Sequence, residues 1–290
     1  MFSFELLVNA LVAGLLLGGF YAAVALGLSI AFGLLEVVNI AHPTFVILGS
    51  YAAYVMNTSF GMDPVLAGVL FTPVFFGLGV AVYGIYYISF EKKGEQALRG
   101  LVFFFGLMFI IEVALVLQYG VDYRLVEAPY IGTSFTIGGI GFAPRLFVPF
   151  LVGVGLTLGL HLFLSKTFYG RAIKGVSQDS LALRLMGANP IKTKAIAFGL
   201  GIATASLAGA LLIIIGPVEP SVGREYIGRV FAIAVLGGLG SIGGTLMAAL
   251  IIGVAESLTS TFYGPSWSLA VSFGMLLCVL AVRPAGLFGR

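Results

Sequence analysis

Long stretches without charged residues constrain the fold of this chain more than any other feature. No Asp, Glu, Lys or Arg occurs in residues 6–35, 64–90, 146–165, 195–218, 230–255 or 257–282. A helix needs ~20 mostly apolar residues to cross ~30 Å of hydrocarbon, so each stretch can hold at least one transmembrane helix. The stretches are continuous, whereas a transmembrane β-barrel would show alternating segments of ~10 residues. The sequence therefore predicts an all-α integral membrane protein with a single polytopic domain over residues 1–290.

The few charged residues predict which loops face the cytoplasm. Charged residues make up 9% of the chain, and six of its fifteen Lys and Arg residues lie between positions 166 and 194. Cytoplasmic loops of membrane proteins are enriched in Lys and Arg, so this segment and the shorter cluster at 92–99 are predicted to be cytoplasmic. The loops at 119–145 and 217–229 balance acidic against basic residues and are predicted to lie outside. The small net charge of +3 does not indicate a nucleic-acid partner.

A glycine-rich interruption decides the predicted number of crossings. Gly237, Gly238, Gly240, Gly243 and Gly244 fall in the middle of one apolar stretch, and glycine costs ~1 kcal/mol per helix position relative to alanine. Splitting the stretch there gives a short crossing near 226–240 and another near 243–261. The basic C-terminus then returns to the cytoplasm, and eight to nine helices result, with broken or short helices near 36–45 and 226–244. Nine crossings place the N-terminus outside.

The segment around residues 36–45 is the candidate solute path. Asn39, His42 and Pro43 form a polar insertion between two apolar stretches, and proline removes a helix hydrogen bond, so a helix is expected to end or break at about His42. Irregular backbone at membrane depth is tolerated only where it is buried in protein or lines a wet cavity. An ordinary loop between two helices is the alternative.

Two acidic residues interrupt or border the apolar stretches. Glu112 follows twelve uncharged residues and is the second candidate for the path. A charge at mid-bilayer costs at least ~2.5 kcal/mol, so its carboxylate should face protein or water. Glu256 is expected to lie near a helix end and to reach the membrane surface. The apolar stretches contain no Lys or Arg to hold a solute carboxylate, so we expect only weak solute binding, with selectivity set by another protein.

The cytoplasmic segment at about 166–194 contains a short amphipathic helix. Leu181, Leu185 and Met186 are predicted to share one face, with Asp179 in the first turn and Gly187 ending the helix. An apolar helix face displayed in the cytoplasm is a natural docking element for a soluble partner. A helix lying on the lipid surface is the alternative.

No motif for chemistry within this chain is present. A phosphate-binding loop Gly-x-x-x-x-Gly-Lys-Ser/Thr is absent, so ATP hydrolysis by that route is excluded. His42 and His161 are far apart, Cys278 is the single cysteine, and neither a metal nor another cofactor is predicted. Gly238, Gly240 and Gly243 match a dinucleotide-binding pattern, but the required strand and soluble fold are missing. Helix packing is the better interpretation.

Four stretches together resemble the permease subunits of branched-chain amino acid ABC importers, the LivH/LivM type. These stretches are Gly27–His42 followed by Gly49–Tyr54; Gly170-Arg171-Ala172 with Asp179, Ala182 and Gly187; Gly237–Gly244; and Arg283–Gly289. Pro43 departs from the family, which usually has glycine there. Relatives in the family also import urea, short amides and aromatic acids, so the resemblance does not identify which solute this chain carries.

The resemblance implies the rest of a transport machine in the bacterial inner membrane. It implies a second homologous permease subunit, two ATP-binding subunits and a periplasmic solute-binding protein. It also implies that Arg171 and the segment Asp179–Gly187, including Ala182, couple this chain to an ATPase subunit. The alternative function is a stand-alone secondary transporter or channel for a small organic solute, but no paired acidic site or internal repeat supports it.

Overall fold

The polypeptide folds into a bundle of helices. The computed structural model describes residues 4–94, 97–137, 140–283 and 285–289. Within these ranges the helices are α1 (Phe4–Leu35), α2 (His42–Phe60), α3 (Pro64–Ser89), α4 (Ala97–Tyr119), α5 (Pro144–Lys166), α6 (Phe168–Gln178), α7 (Ser180–Leu185), α8 (Pro190–Ile215), α9 (Gly223–Gly237), α10 (Ile242–Phe262) and α11 (Ser268–Val282). A small antiparallel hairpin, β1 (Phe135–Ile137) with β2 (Ile140–Phe142), precedes α5. The all-α prediction is confirmed. Pro284 of the predicted C-terminal signature lies outside the described residues, as does the basic residue Arg290 at the C-terminus.

Seven helices of the described chain are long and apolar enough to cross a membrane. They are α1, α3, α4, α5, α8, α10 and α11 with the turn that precedes it. The predicted nine crossings also need α2, which has 19 residues, and α9, which has 15. At 1.5 Å per residue α9 spans only ~22 Å, less than the ~30 Å of a hydrocarbon core. Nine crossings therefore stay a prediction that depends on these two helices.

Two helices form the centre of the bundle. α8 is the most buried long helix and packs against α1, α2 and α3. α1 packs against α8 on one side and against α5 and α10 on others. Few residues of α4, α5 and α11 are fully buried. Large apolar side chains outside a compact core are expected where lipid or a partner subunit covers them.

The first predicted break is confirmed, but His42 begins a helix where we expected one to end. α1 already ends at Leu35, Glu36 adopts a left-handed backbone with φ of 58°, and α2 starts at His42. Pro43 lies in the first turn of α2, where a missing N–H leaves no hydrogen bond unmade. The side chain of Asn39 accepts a hydrogen bond from the Ala41 N–H over 3.1 Å and so closes the break.

The second predicted break is also confirmed. α9 ends at Gly237 and α10 begins at Ile242, after Ser241 caps the new helix through the Gly244 N–H at 3.1 Å. Gly240 has φ of 82°, a left-handed conformation that side chains other than glycine adopt at a cost. The chain therefore turns back between α9 and α10, and the two helices pack against each other.

Close packing of α1 against α10 depends on small residues. A Cβ at Gly18 would lie 2.7 Å from Leu250 Cα, so the two backbones touch there. We expect Gly18→Val to destabilise the protein by about 1–3 kcal/mol or more, because an added side chain must push the helices apart. Gly77→Val in α3 is the matched control, since no heavy atom lies within 4 Å of its Cβ position. Unfolding in mixed micelles measures both, and equal effects would contradict the packing account.

The segment between α4 and α5 is tied to the ends of α2 and α3. Asp63 caps α3 through the Val65 N–H at 2.8 Å and accepts a second hydrogen bond from the Tyr130 hydroxyl at 2.8 Å. Burial and this hydrogen bond raise the pKa of the Tyr130 phenol, which therefore remains a donor at neutral pH. Asn57 holds Glu127 through two hydrogen bonds to its backbone. This segment thus packs on the bundle as an ordered cover.

Candidate coupling segment and membrane site

The short helix α7 is capped at its N-terminus and is stopped by a glycine after its C-terminus. Asp179 accepts hydrogen bonds from the Leu181 and Ala182 N–H groups at 2.8 and 3.0 Å, which satisfies two free donors of the first turn. Gly187 follows the helix with φ of 84°. Asn189 then caps α8, with Pro190 in its first turn. The predicted start and stop signals of this helix are confirmed.

α7 buries one leucine and exposes its other large apolar side chains. Leu183 is 5% exposed, whereas Leu181, Leu185 and Met186 are 65%, 81% and 77% exposed. We name Leu181, Leu185 and Met186 the docking patch. A contiguous group of exposed apolar side chains is typical of a site that contacts another protein or a membrane. Arg171, on the preceding helix α6, is also exposed.

Two polar residues at the break between α1 and α2 are enclosed in the protein, although Glu36 at the start of the break is exposed. Asn39 is 1% exposed and His42 is 0% exposed. The His42 Nε2 atom lies 3.0 Å from the Val24 carbonyl oxygen in the middle of α1. Among the described residues, Asn39 Nδ2 and His42 Nδ1 have no hydrogen-bond partner. Buried polar atoms of this kind cost free energy unless water, a ligand or a rearrangement satisfies them.

Glu112, the other predicted path residue, forms an ion pair. Its Oε1 atom lies 3.1 Å from Arg224 Nη2 at the start of α9, and the Glu112 side chain is 11% exposed. The pair connects α4 to α9. The carboxylate therefore faces protein, as the cost of a charge in the membrane requires.

The expectation that Glu256 reaches the membrane surface from a helix end is wrong. Glu256 is 3% exposed, and its Oε1 atom accepts a hydrogen bond from Arg229 Nε at 2.8 Å. The same carboxylate accepts hydrogen bonds from the hydroxyls of Tyr21, at 2.6 Å, and Ser272. α10 continues to Phe262, so the Glu256 carboxylate lies well before the end of the helix. The Arg229 guanidinium, and not water at the membrane surface, compensates its charge.

This buried ion pair is the part of the site that the sequence interpretation missed. The predicted outer loop at 217–229 includes Arg229, but this residue lies inside α9 and its side chain is only 14% exposed. The expectation that no Lys or Arg could hold a solute carboxylate considered only the uncharged stretches, and the buried Arg229 adjoins the stretch 230–255. Arg229 and Glu256 stand on either side of the glycine break, on two helices that fold back on each other. Opposite charges in that arrangement were the signal available in the sequence.

Two of the cavities in the described part of the bundle differ in the chemistry of their lining. We name the first the polar cavity; it has a volume of about 270 Å³ and is lined by Arg229, Glu256 and the hydroxyl residues Ser257, Ser260, Thr261 and Ser268. The second, of about 340 Å³, lies between α2, α3 and α4 and is lined mainly by apolar side chains such as Leu48, Phe75 and Leu115. Neither of these two cavities is lined by Asn39, His42, Pro43 or Glu112.

The family of the chain follows from comparison of its sequence with known proteins. The pattern of the family described as "Branched-chain amino acid transport system / permease component" matches residues 10–280. The chain belongs to this permease family. The match covers α2 to α10 completely and most of α1 and α11, so the membrane bundle as a whole is the family's domain.

Several known permeases are similar to nearly the whole of this chain. The high-affinity branched-chain amino acid transport system permease protein BraD of Pseudomonas aeruginosa is 29% identical over 97% of this chain and 95% of its own. LivH of Escherichia coli K12 is 29% identical over 96% of this chain and 94% of its own. LivM of the same strain is 27% identical over 92% of this chain and 67% of its own. No solved structure matches the chain.

Proposed function

We propose that this chain is the permease subunit of an ATP-driven importer for branched-chain amino acids or related small amino-acid-like or amide solutes. The observation that carries the proposal is the family match over residues 10–280 together with a multi-pass helical bundle. The relatives are named as components of high-affinity transport systems, which favours a subunit over a stand-alone transporter or channel. The role of this chain is passage of solute, and ATP hydrolysis belongs to partner subunits.

The proposed assembly contains a second homologous permease, two ATP-binding subunits and a periplasmic solute-binding protein. Similarity to both LivH and LivM, which are two permeases of one named system, supports a second permease beside this one. The docking patch and Asp179 on α7 are proposed to fit an ATP-binding subunit, with Arg171, Ala182 and Gly187 beside them. The alternative is that α7 lies on the lipid surface.

The proposed location is the bacterial inner membrane, with α6, α7 and the C-terminus in the cytoplasm. The concentration of Lys and Arg between 166 and 194 supports this orientation. α7 then faces the side on which ATP is available. The C-terminal ends of α2, α4 and α10 then face the periplasm, where a binding protein would deliver solute.

We place the solute path beside the broken segment at Asn39, His42 and Pro43, with Glu112 as a less central neighbour. The unpartnered Asn39 Nδ2 and His42 Nδ1 atoms support this place, since a passing solute or water can satisfy them. Asn39 and His42 are buried in this conformation, so exposure of these two side chains is expected only during transport. ATP-driven rearrangement of the helices would open it.

Cysteine labelling tests the path. In a Cys278→Ser background, Asn39→Cys or His42→Cys is expected to react slowly with a water-soluble thiol reagent at rest and faster when the assembled transporter hydrolyses ATP. Ser59→Cys, near the C-terminal end of α2, is the control, because it is exposed and its rate should not depend on ATP. Absence of labelling at positions 39 and 42 in every state would remove these residues from the path.

Uptake in cells tests the function. Deleting the gene for this chain, in a host strain lacking other leucine transporters, is expected to abolish uptake of radiolabelled leucine at micromolar concentration. A plasmid copy should restore it. Unchanged leucine uptake would contradict the proposed solute class. Screening amides and aromatic acids in the same strain would then identify the solute carried.

A further inference from the structure

The polar cavity lies where α1, α5, α9, α10 and α11 meet, and its lining is mixed in chemistry. Thr261 is next to the last residue of α10 and Ser268 is the first of α11, so the cavity is near the end of the bundle that we assign to the periplasm. Polar and charged groups in membrane proteins face protein or water, and they mark solute or ion pathways. The cavity therefore needs an occupant that suits its side chains.

The guanidinium of Arg229 is held in place by its neighbours, but only one of its nitrogen atoms donates a hydrogen bond among the described residues. Its Nε donates to Glu256, and its plane lies between the rings of Tyr21 and Tyr226, each with its centroid 5.2 Å from Cζ. Among the residues that the structure describes, Glu256 is the one hydrogen-bond acceptor of Arg229, and it takes the Nε proton alone. Both Nη groups are therefore free to donate. A carboxylate is the acceptor that fits a guanidinium edge best, because it can take two parallel hydrogen bonds.

The charge of the cavity decides between a simple anion and a zwitterion. The carboxylate of Glu256 already accepts from Arg229, Tyr21 and Ser272, so it neutralises the guanidinium and has little capacity left. A bare anion on Arg229 would leave one uncompensated negative charge in a medium of low dielectric constant. A zwitterion brings no net charge. The pair therefore favours a ligand with both a carboxylate and a cation.

The hydroxyl residues of the cavity supply acceptors for that cation. The hydroxyls of Ser257, Thr261 and Ser268 lie 2.8, 2.8 and 2.7 Å from the carbonyl oxygens of Ala10, Ser257 and Pro265. A carbonyl cannot donate, so each hydroxyl proton is committed and the lone pairs remain. An ammonium group has three donors and no acceptor, which matches a wall of available lone pairs.

The remaining wall is apolar and the volume is small. Ala13, Leu17 and Leu146 line it, and they can pack against an aliphatic side chain. Pockets for drug-sized ligands measure ~300–1,000 Å³, and this cavity of about 270 Å³ suits a smaller solute. The cavity thus combines a cationic group, hydrogen-bond acceptors and an apolar wall in a volume that suits an amino acid.

We propose that the polar cavity binds a zwitterionic α-amino acid with an apolar side chain, with its carboxylate on the Nη groups of Arg229 and its ammonium on the hydroxyls of α10 and α11. The inference rests on the proposed function for the choice of solute. It assigns this function a specific site in the permease, separate from the path at Asn39. Binding there is weak, since a delivered solute must leave again.

Protection of a cysteine tests the site. Ser260→Cys in a Cys278→Ser background replaces a cavity hydroxyl for which the structure shows no partner among the described residues. We expect a water-soluble thiol reagent to label it in the purified permease, and leucine to slow labelling several-fold with half-protection on the order of 1 mM. Leucinamide, which lacks the carboxylate, should not protect. Arg229→Lys should remove protection by leucine, because a single ammonium cannot replace the guanidinium edge.

Two controls make the outcome decisive. Ser59→Cys, at the exposed end of α2, should label at a rate that leucine does not change. Trp267, the single tryptophan of the chain, adjoins Ser268, so its fluorescence should respond to leucine in the unlabelled Cys278→Ser protein. A cysteine at 260 that never reacts, no protection at about 10 mM leucine, or equal protection by leucinamide would each overturn the site. If uptake by the whole transporter persists in that case, only this inference fails.

Discussion

Leu185→Asp is expected to abolish solute-stimulated ATP hydrolysis by the assembled transporter while leaving the permease in the membrane. Leu185 is 81% exposed on α7, so a carboxylate there should not disturb the fold. If the docking patch fills a groove on an ATP-binding subunit, the substitution buries a charge without a partner. Loss of such an anchor costs at least ~2 kcal/mol, which weakens association about 30-fold. Co-purification of the ATP-binding subunits and ATP hydrolysis measure the effect.

Two variants separate docking from a general effect of charge. Leu185→Met keeps an apolar side chain of similar volume and should retain most of the ATP hydrolysis. Ser177→Asp adds the same carboxylate to the exposed surface of α6, outside the docking patch, and should also be tolerated. If Leu185→Asp co-purifies with its partners and hydrolyses ATP normally, α7 is not the coupling element.

Glu256→Ala is expected to lower the free energy of unfolding by about 3–5 kcal/mol, because it leaves the guanidinium of Arg229 buried without its counter-ion. The Tyr21 and Ser272 hydroxyls lose their acceptor as well. Reversible unfolding in mixed micelles measures this change. Glu225→Ala is the control, since Glu225 is exposed in the first turn of α9 and its removal should change stability by no more than about 0.5 kcal/mol.

The double variant Arg229→Met with Glu256→Met tests whether the pair itself causes the loss. Replacing both partners of a buried ion pair by apolar residues of similar volume is often neutral, so stability should recover most of the way. Transport should stay impaired, because Arg229 is also the proposed carboxylate ligand. A double variant as unstable as Glu256→Ala would show that the pair is not the source of the effect.

The sequence was sufficient to predict the elements whose causes are local. Uncharged stretches of membrane length predicted the long helices, and the glycines at 237–244 predicted the turn between α9 and α10 through backbone freedom alone. The caps and exposed face of α7 were also predictable, since Asp179, Leu185 and Gly187 act within one short segment. In each case the residues that decide the structure are neighbours in the chain.

The parts that failed depend on partners distant in the chain. Glu256 accepts hydrogen bonds from Tyr21, 235 residues away, and from Arg229, which lies on the neighbouring helix α9. No spacing rule in the sequence connects these three residues. Pro43 predicts the end of a helix, whereas in the structure it lies in the first turn of α2. Proline disrupts a helix that precedes it but is tolerated in the first turn of a helix that follows, and the sequence around it does not distinguish the two cases. The burial of Asn39 and His42 likewise follows from how α1, α2 and α8 pack together.

Reconstitution tests the central proposal most directly. The permease is assembled in liposomes with its second permease, ATP-binding subunits and solute-binding protein, and uptake of radiolabelled leucine is measured with and without ATP. The account predicts leucine accumulation against its gradient only when ATP and every partner are present, and no uptake by this chain alone. Leucine uptake by this chain alone, driven by an ion gradient and indifferent to ATP, would contradict it.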